Sequence, residues 1–359
     1  MSVSRWWKKK DTAASSALSL ALQGGGAHGA FTWGVLDRLL EDGSIDIAGI
    51  CGTSAGAMNG VALAYGLAHG GPTEARAVLT RFWTKVSEGA RFSPLQPTPL
   101  DRALSIGDMD YSPGWLYWDA VSRAVSPYVA NPCNYNPLAD VLDDVIDFAW
   151  LRENHTVPLF ACATNVKTGR IRVFGCHEIS AKAILASACL PFLYKAVEID
   201  GEFYWDGGFM GNPPLYPLIY QTDCEDVLIV QINPINVDEV PTTAPAIMDR
   251  MNELSFNSSL MREMRAIAFV KKLLDEERVP RGRYKDLRIH TIDAEAQMRE
   301  LGYSSKLNAD GKFLIVGVSA ELGGGRDLDP DKDGTVDLAE AQAGATKVFA
   351  AIDPDKDGT

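Results

Sequence analysis

The chain has 359 residues, enough to bury a large core in one big domain with an appendage, or in two domains. Its 46% hydrophobic and 23% charged residues describe a globular protein, and a formal charge of −13 argues against a nucleic-acid partner, which needs a basic track. The charge is uneven. Nine acidic and three basic residues lie between Asp327 and Thr359, whereas Arg5, Lys8, Lys9 and Lys10 flank Trp6 and Trp7.

Six scattered cysteines (Cys51, Cys133, Cys162, Cys176, Cys189, Cys224) suit reduced thiols better than a disulfide framework. The basic start runs into Asp11 and a polar segment rather than an apolar leader, so the reading is cytoplasmic, with peripheral membrane contact through Arg5–Lys10. Two uncharged tracts, 12–36 and 47–73, hold too much Gly, Ser, Thr, Gln and Asn to span a bilayer. The sequons at Asn154 and Asn257 read as chance in a cytosolic chain.

In chain order, Ala17–Leu22 reads as a buried strand, and 23–29 as a glycine turn. A helix over Ala30–Leu40 follows, with Phe31, Val35, Leu36, Leu39 and Leu40 at helical spacing. Ile45–Cys51 is a second strand, followed by a serine turn and a helix from Ala55 to about His69. Strand–helix–strand–helix implies a parallel sheet covered on both faces, with chemistry at the carboxyl ends of the strands. Residues 92–137 hold seven of the nineteen prolines and read either as an irregular excursion walling a cleft or as an ordinary connection. Strands return at 157–164 and 171–174, split by Lys167-Thr168-Gly169, and again at 227–232. Leu260, Met264, Ile267, Val270 and Leu274 mark a core-facing helix, and 287–292 a late strand.

Gly52-Thr53-Ser54-Ala55-Gly56 has G-x-S-x-G spacing between a strand and a helix, which presents a serine hydroxyl at the top of a sheet as a nucleophile. The earlier turn, Gly24-Gly25-Gly26-Ala27-His28-Gly29, satisfies G-x-G-x-x-G, with Asp46 where a ribose-binding acid would stand. Glycine amides at a helix start favour negative charge of either kind, a pyrophosphate or the oxyanion of a tetrahedral intermediate. A serine elbow close behind favours the oxyanion. The proton acceptor is less evident. His177 and His290 follow the serine in the order a triad would need, yet neither carries a supporting signature. Tyr204-Trp205-Asp206-Gly207-Gly208 places an aspartate at a glycine turn, with Asn212-Pro213-Pro214 just after.

The three motifs GGGAHG (24–29), GTSAG (52–56) and DGG (206–208), in that order, resemble the patatin-like phospholipases; Ala186–Pro191 and Asn212-Pro213-Pro214 extend the likeness. The resemblance covers residues 17 to 320. It implies a three-layer α/β/α sandwich with a mostly parallel central sheet, and a serine hydrolase acting on lipid esters without a catalytic cofactor. It further implies Ser54 as nucleophile and Asp206 as general base. The oxyanion hole falls on the glycine turn of Gly24, Gly25 and Gly26 (the last two amides above all), together with Ala55. His28 departs from the Arg or Lys usual in the family, and a mostly neutral imidazole assists an anion less at neutral pH.

The last segment carries a separate signal. DPDKDGT occurs at 329–335 and again at 353–359, and the first copy completes D-x-D-x-D-G-x5-E. Asp329, Asp331, Asp333, the Thr335 carbonyl, Asp337 through water and Glu340 are the candidate calcium ligands of an EF-hand-like loop. The second copy stops at Thr359, before its ninth and twelfth ligands.

The reading is therefore a tail over 1–16, an acyl hydrolase domain over 17–320 and an acidic extension over 321–359. Alternatives are an esterase or thioesterase for another acyl or polyester substrate, and a calcium-responsive binding protein on a degenerate hydrolase fold.

Overall fold

Alternating apolar residues decide the sheet. In β1 (Ser16–Leu22), Leu20 and Leu22 face one core cluster and Ala21 faces the other; in β7 (Asp226–Gln231), Leu228 and Val230 face the first, Val227 and Ile229 the second. Both faces are thus apolar, as a parallel sheet sandwiched by helices requires. The computed structural model describes residues 16–90, 117, 120–122, 124–237, 239–280 and 282–293. The basic start, most of the proline-rich segment and the acidic C-terminal loop lie outside the described residues.

Among the described residues the sheet has eight strands. β2 (Ile45–Thr53), β1, β7 and β8 (Arg288–Asp293) pair in parallel, as do β2 and β3 (Leu159–Asn165). β4 (Ile171–Phe174), β5 (Val197–Ile199) and β6 (Glu202–Asp206) complete it, with β3–β4, β3–β6 and β5–β6 antiparallel.

On one face pack α1 (Gly29–Asp42) and α2 (Ala55–Ala90), with α3 (Pro137–Val145), α4 (Phe148–Asn154) and α5 (Ala181–Ser187) beside them. On the other lie α6 (Tyr216–Gln221) and the long α7 (Ala244–Asp275), which contributes Leu260. This is the three-layer arrangement expected. All six cysteines are free thiols.

α2 departs from the expectation only in length. A helix does break at His69, because Gly70 (φ −162°) and Gly71 (φ +73°) leave helical geometry, but Pro72 restarts it and it continues to Ala90. No helix among the described residues is long and apolar enough to cross a membrane.

Candidate active site

β3 is the template of the site. At residues 161–164 one of its edges is taken by β4. β2 pairs with 159–162 and β6 with 163–165, so both must share the other edge, end to end. Thr53 stands opposite Cys162 and Asp206 opposite Ala163, one residue apart along β3, or about 3.3 Å. The strand that ends at the serine and the strand that ends at the aspartate meet head-on.

Stitches hold that junction. The Thr53 hydroxyl and the Cys162 thiol both donate to the Gly211 carbonyl, at 2.7 and 3.1 Å. The Asp206 amide donates to Cys189 O (2.8 Å), and the Thr164 hydroxyl to Asp206 O (2.8 Å).

Ser54 is buried and has φ +54°, a left-handed conformation that a residue with a side chain adopts only under constraint. Its amide donates to the hydroxyl of fully buried Ser187 (2.9 Å), and its carbonyl accepts from Met58, opening α2. The sharp strand-to-helix turn this produces is the one the glycine spacing predicts.

Asp206 is wholly buried. Burial pushes its carboxyl up from 3.8 to about 6, against the Gly208 amide on Oδ1 (2.7 Å) and the Ser54 hydroxyl, both of which favour the charged form. Oδ2 is buried and has no hydrogen-bond partner.

The glycine turn lies against the serine: a Cβ on Gly24 would come within 2.7 Å of Ser54 Cβ. Here one expectation needs correction. The Gly24 amide already donates to Asn212 Oδ1 at 2.7 Å and is not open to an oxyanion. Gly25 and Gly26 are half-exposed at the start of a 3-10 turn, where amides lack intrahelical acceptors, and Ala55 opens α2 in the same way. Gly26 has φ +62°, a left-handed conformation that favours glycine.

A buried amide network, unforeseen from the sequence, fixes this turn. Gln23 accepts from the amides of Ile232 and Asn233 at 2.7 Å each and donates to Asn257 on α7 at 2.8 Å. Asn233 donates to Gly24 O at 2.8 Å, and Asn257 to Pro234 O at 2.9 Å. All of these side chains are buried, so each is satisfied by a partner rather than by water. The sequence signals available are Asn212-Pro213 and Asn233-Pro234, ordinary turn dipeptides, and a glutamine directly before the glycines. Asn257, in a sequon, is an internal bolt.

Neither candidate histidine is near the serine. His290 lies toward the amino end of β7, 3.0 Å from Asp226 Oδ1. His177 packs edge-to-face on His155 at 5.2 Å, beside a cleft of about 650 Å³ at the amino end of β3. Asp46 is exposed at the amino end of β2, away from the glycine turn, which removes the dinucleotide arrangement. His28 is buried behind the turn.

A family model described as patatin-like phospholipase matches residues 20–219, which contain all three glycine motifs. The chain belongs to the patatin-like phospholipase family. Lipid ester hydrolysis is the activity class of a patatin-like phospholipase. Similar solved structures include VipD from Legionella pneumophila, 19% identical, with 96% of this chain and 75% of that one covered at a TM-score of 0.40. Another is the ExoU–SpcU complex of the Pseudomonas aeruginosa type III secretion system, 18% identical, with 92% and 74% covered at 0.32. Both are distant from this patatin-like chain. Among curated proteins none matches.

Proposed function

We propose that the protein cleaves the carboxylic esters of phospholipids or lysophospholipids, with Ser54 as nucleophile and Asp206 as its base. The observation that supports this most is the head-on meeting of β2 and β6 on one edge of β3. Ser54 Oγ attacks the ester carbonyl while its proton passes to Asp206. The oxyanion accepts from the amides of Gly25, Gly26 and Ala55, each worth roughly 3–4 kcal/mol in the transition state. Collapse expels the alcohol, which takes the proton from Asp206, and leaves an acyl-serine. Water then attacks that ester, giving its proton to Asp206, and the fatty acid leaves as Ser54 is restored. These steps call on no metal.

A fluorophosphonate probe is expected to label the wild type and not Ser54→Ala, while His177→Ala and His290→Ala keep both labelling and turnover. A panel of phospholipids, lysophospholipids, thioesters and polyesters, read against Ser54→Ala, assigns the substrate. A histidine variant as inactive as Ser54→Ala would replace the dyad with a triad.

The same proposal includes one calcium ion at Asp329, Asp331, Asp333, Thr335, Asp337 and Glu340, structural or modulatory. Isothermal titration is expected to show one site whose affinity falls about tenfold or more in Glu340→Gln, which removes the bidentate ligand. Heat-free injections would refute it. The basic, Trp-bearing residues 5–10 fit transient contact with an anionic surface, at about 1 kcal/mol per cation.

A further inference from the structure

α7 does more than cover the sheet. Its middle is pinned to the site: Phe256 packs on Phe209 with ring centroids 5.5 Å apart, and Asn257 is bolted to Gln23 at the top of β1. From Leu260 onward its inner face lies on the core. The twelve residues 244–255 that precede this anchor span about 18 Å and stand at the active-site end of the sheet.

That half of the helix turns Ile247, Met251 and Leu254 outward, 42, 58 and 55% exposed. At about 100° per residue they fall within a 60° arc. Val237 and Val240 (38 and 84% exposed) extend the patch on the connection leading into the helix, which Arg250 ties down through the carbonyls of Pro234 and Ile235. Further along the same side come Met261, Arg262, Arg265 and Phe269, all exposed. Within the helix the acids Asp249, Glu253 and Glu263 fall off this face, whereas Glu239 is exposed on the connection between Val237 and Val240. Glu253 is buried beside Arg250, and Glu263 accepts from the Leu215 and Tyr216 amides. In a chain of charge −13, the outer side of this helix is apolar and then cationic.

We propose that the outer face of α7, centred on Ile247, Met251 and Leu254 with Arg262 and Arg265 behind, docks on an anionic lipid bilayer. Apolar side chains enter the interface while arginines meet headgroup phosphates, the pattern of an interfacial amphipathic helix. The inference rests on the lipid-hydrolase reading for its biological sense. The face adjoins the site, so docking brings the glycine turn and Ser54 to the bilayer.

The test uses the full chain with phosphatidylcholine–phosphatidylglycerol vesicles. Met251→Glu combined with Leu254→Glu is expected to weaken co-sedimentation at least tenfold, with hydrolysis of a soluble short-chain ester unchanged. Ser54→Ala is expected to bind vesicles like wild type; inactivity of the wild type on every ester would sink the catalytic reading and leave docking intact. Met251→Trp gives a readout that does not depend on the double variant folding: its emission, less that of the wild type, should shift to the blue on vesicle addition. Unchanged sedimentation of the double variant would overturn the proposal. So would binding that vanishes on deleting residues 1–10 alone. Emission from the introduced indole that is already blue before vesicles are added would also overturn it, by marking cover from another copy or from this chain.

Discussion

Asp206→Asn is expected to lower kcat/KM by roughly 10²- to 10⁴-fold and, at pH 8, to raise the thermal midpoint. The activity loss follows from removing the carboxylate set at the end of β6 beside Ser54. The stability gain follows from burial. A carboxyl moved from 3.8 to about 6 costs the folded state roughly 3 kcal/mol once ionised. Its folded-state pKa is the higher one, so between about pH 4 and 6 the folded protein binds more protons than the unfolded. This group therefore withdraws stability as pH rises through that window, and the cost is complete above it. Asn keeps an oxygen for the Gly208 amide and has no charge to bury. The midpoint difference should accordingly be larger at pH 8 than at pH 5. In the wild type kcat/KM should rise through an acid limb near 6. Activity within tenfold of wild type, or equal midpoint differences at both pH values, would contradict this account.

Gly56→Ala is expected to cost several kcal/mol and to yield little folded protein. A Cβ there would sit 2.1 Å from the Leu22 carbonyl oxygen and 2.8 Å from that of Gln23. Both are backbone atoms at the end of β1, so only movement of α2 away from the sheet relieves the clash. The cost therefore exceeds the roughly 1–3 kcal/mol of ordinary overpacking, which side chains can absorb. Gly34→Ala in α1 is the matched control. Its Cβ meets nothing within 4 Å, and alanine should gain up to about 1 kcal/mol of helix stability. Chemical denaturation compares the two, and a Gly56→Ala midpoint equal to wild type would break the argument.

Ser54 is legible in the sequence because its glycine spacing and the strand and helix that flank it are local, and the alternating faces of β1 and β7 expose the layered sheet just as directly. Asp206 is different. Its neighbourhood spells only a glycine turn, and its partnership comes from resemblance, since the placement of β6 on the edge of β3 is written nowhere locally. Gly24 reads as an oxyanion donor because spacing cannot show that Asn212, 188 positions away, has claimed its amide. The long helix is recognisable only from Leu260 because its first half points apolar side chains outward. Its start is signalled by Thr243 as N-cap with a proline in the first turn, a cue that the apolar periodicity alone passes over.

The separation of Ser54 and Asp206, the proposed nucleophile and base, is measured off a strand that supplies neither. One extra residue between Cys162 and Ala163 would push the two ends about 3.3 Å further apart and invert the side of the sheet that one addresses relative to the other. Reactivity in this scaffold can thus be retuned from an inert ruler, without touching a reacting atom.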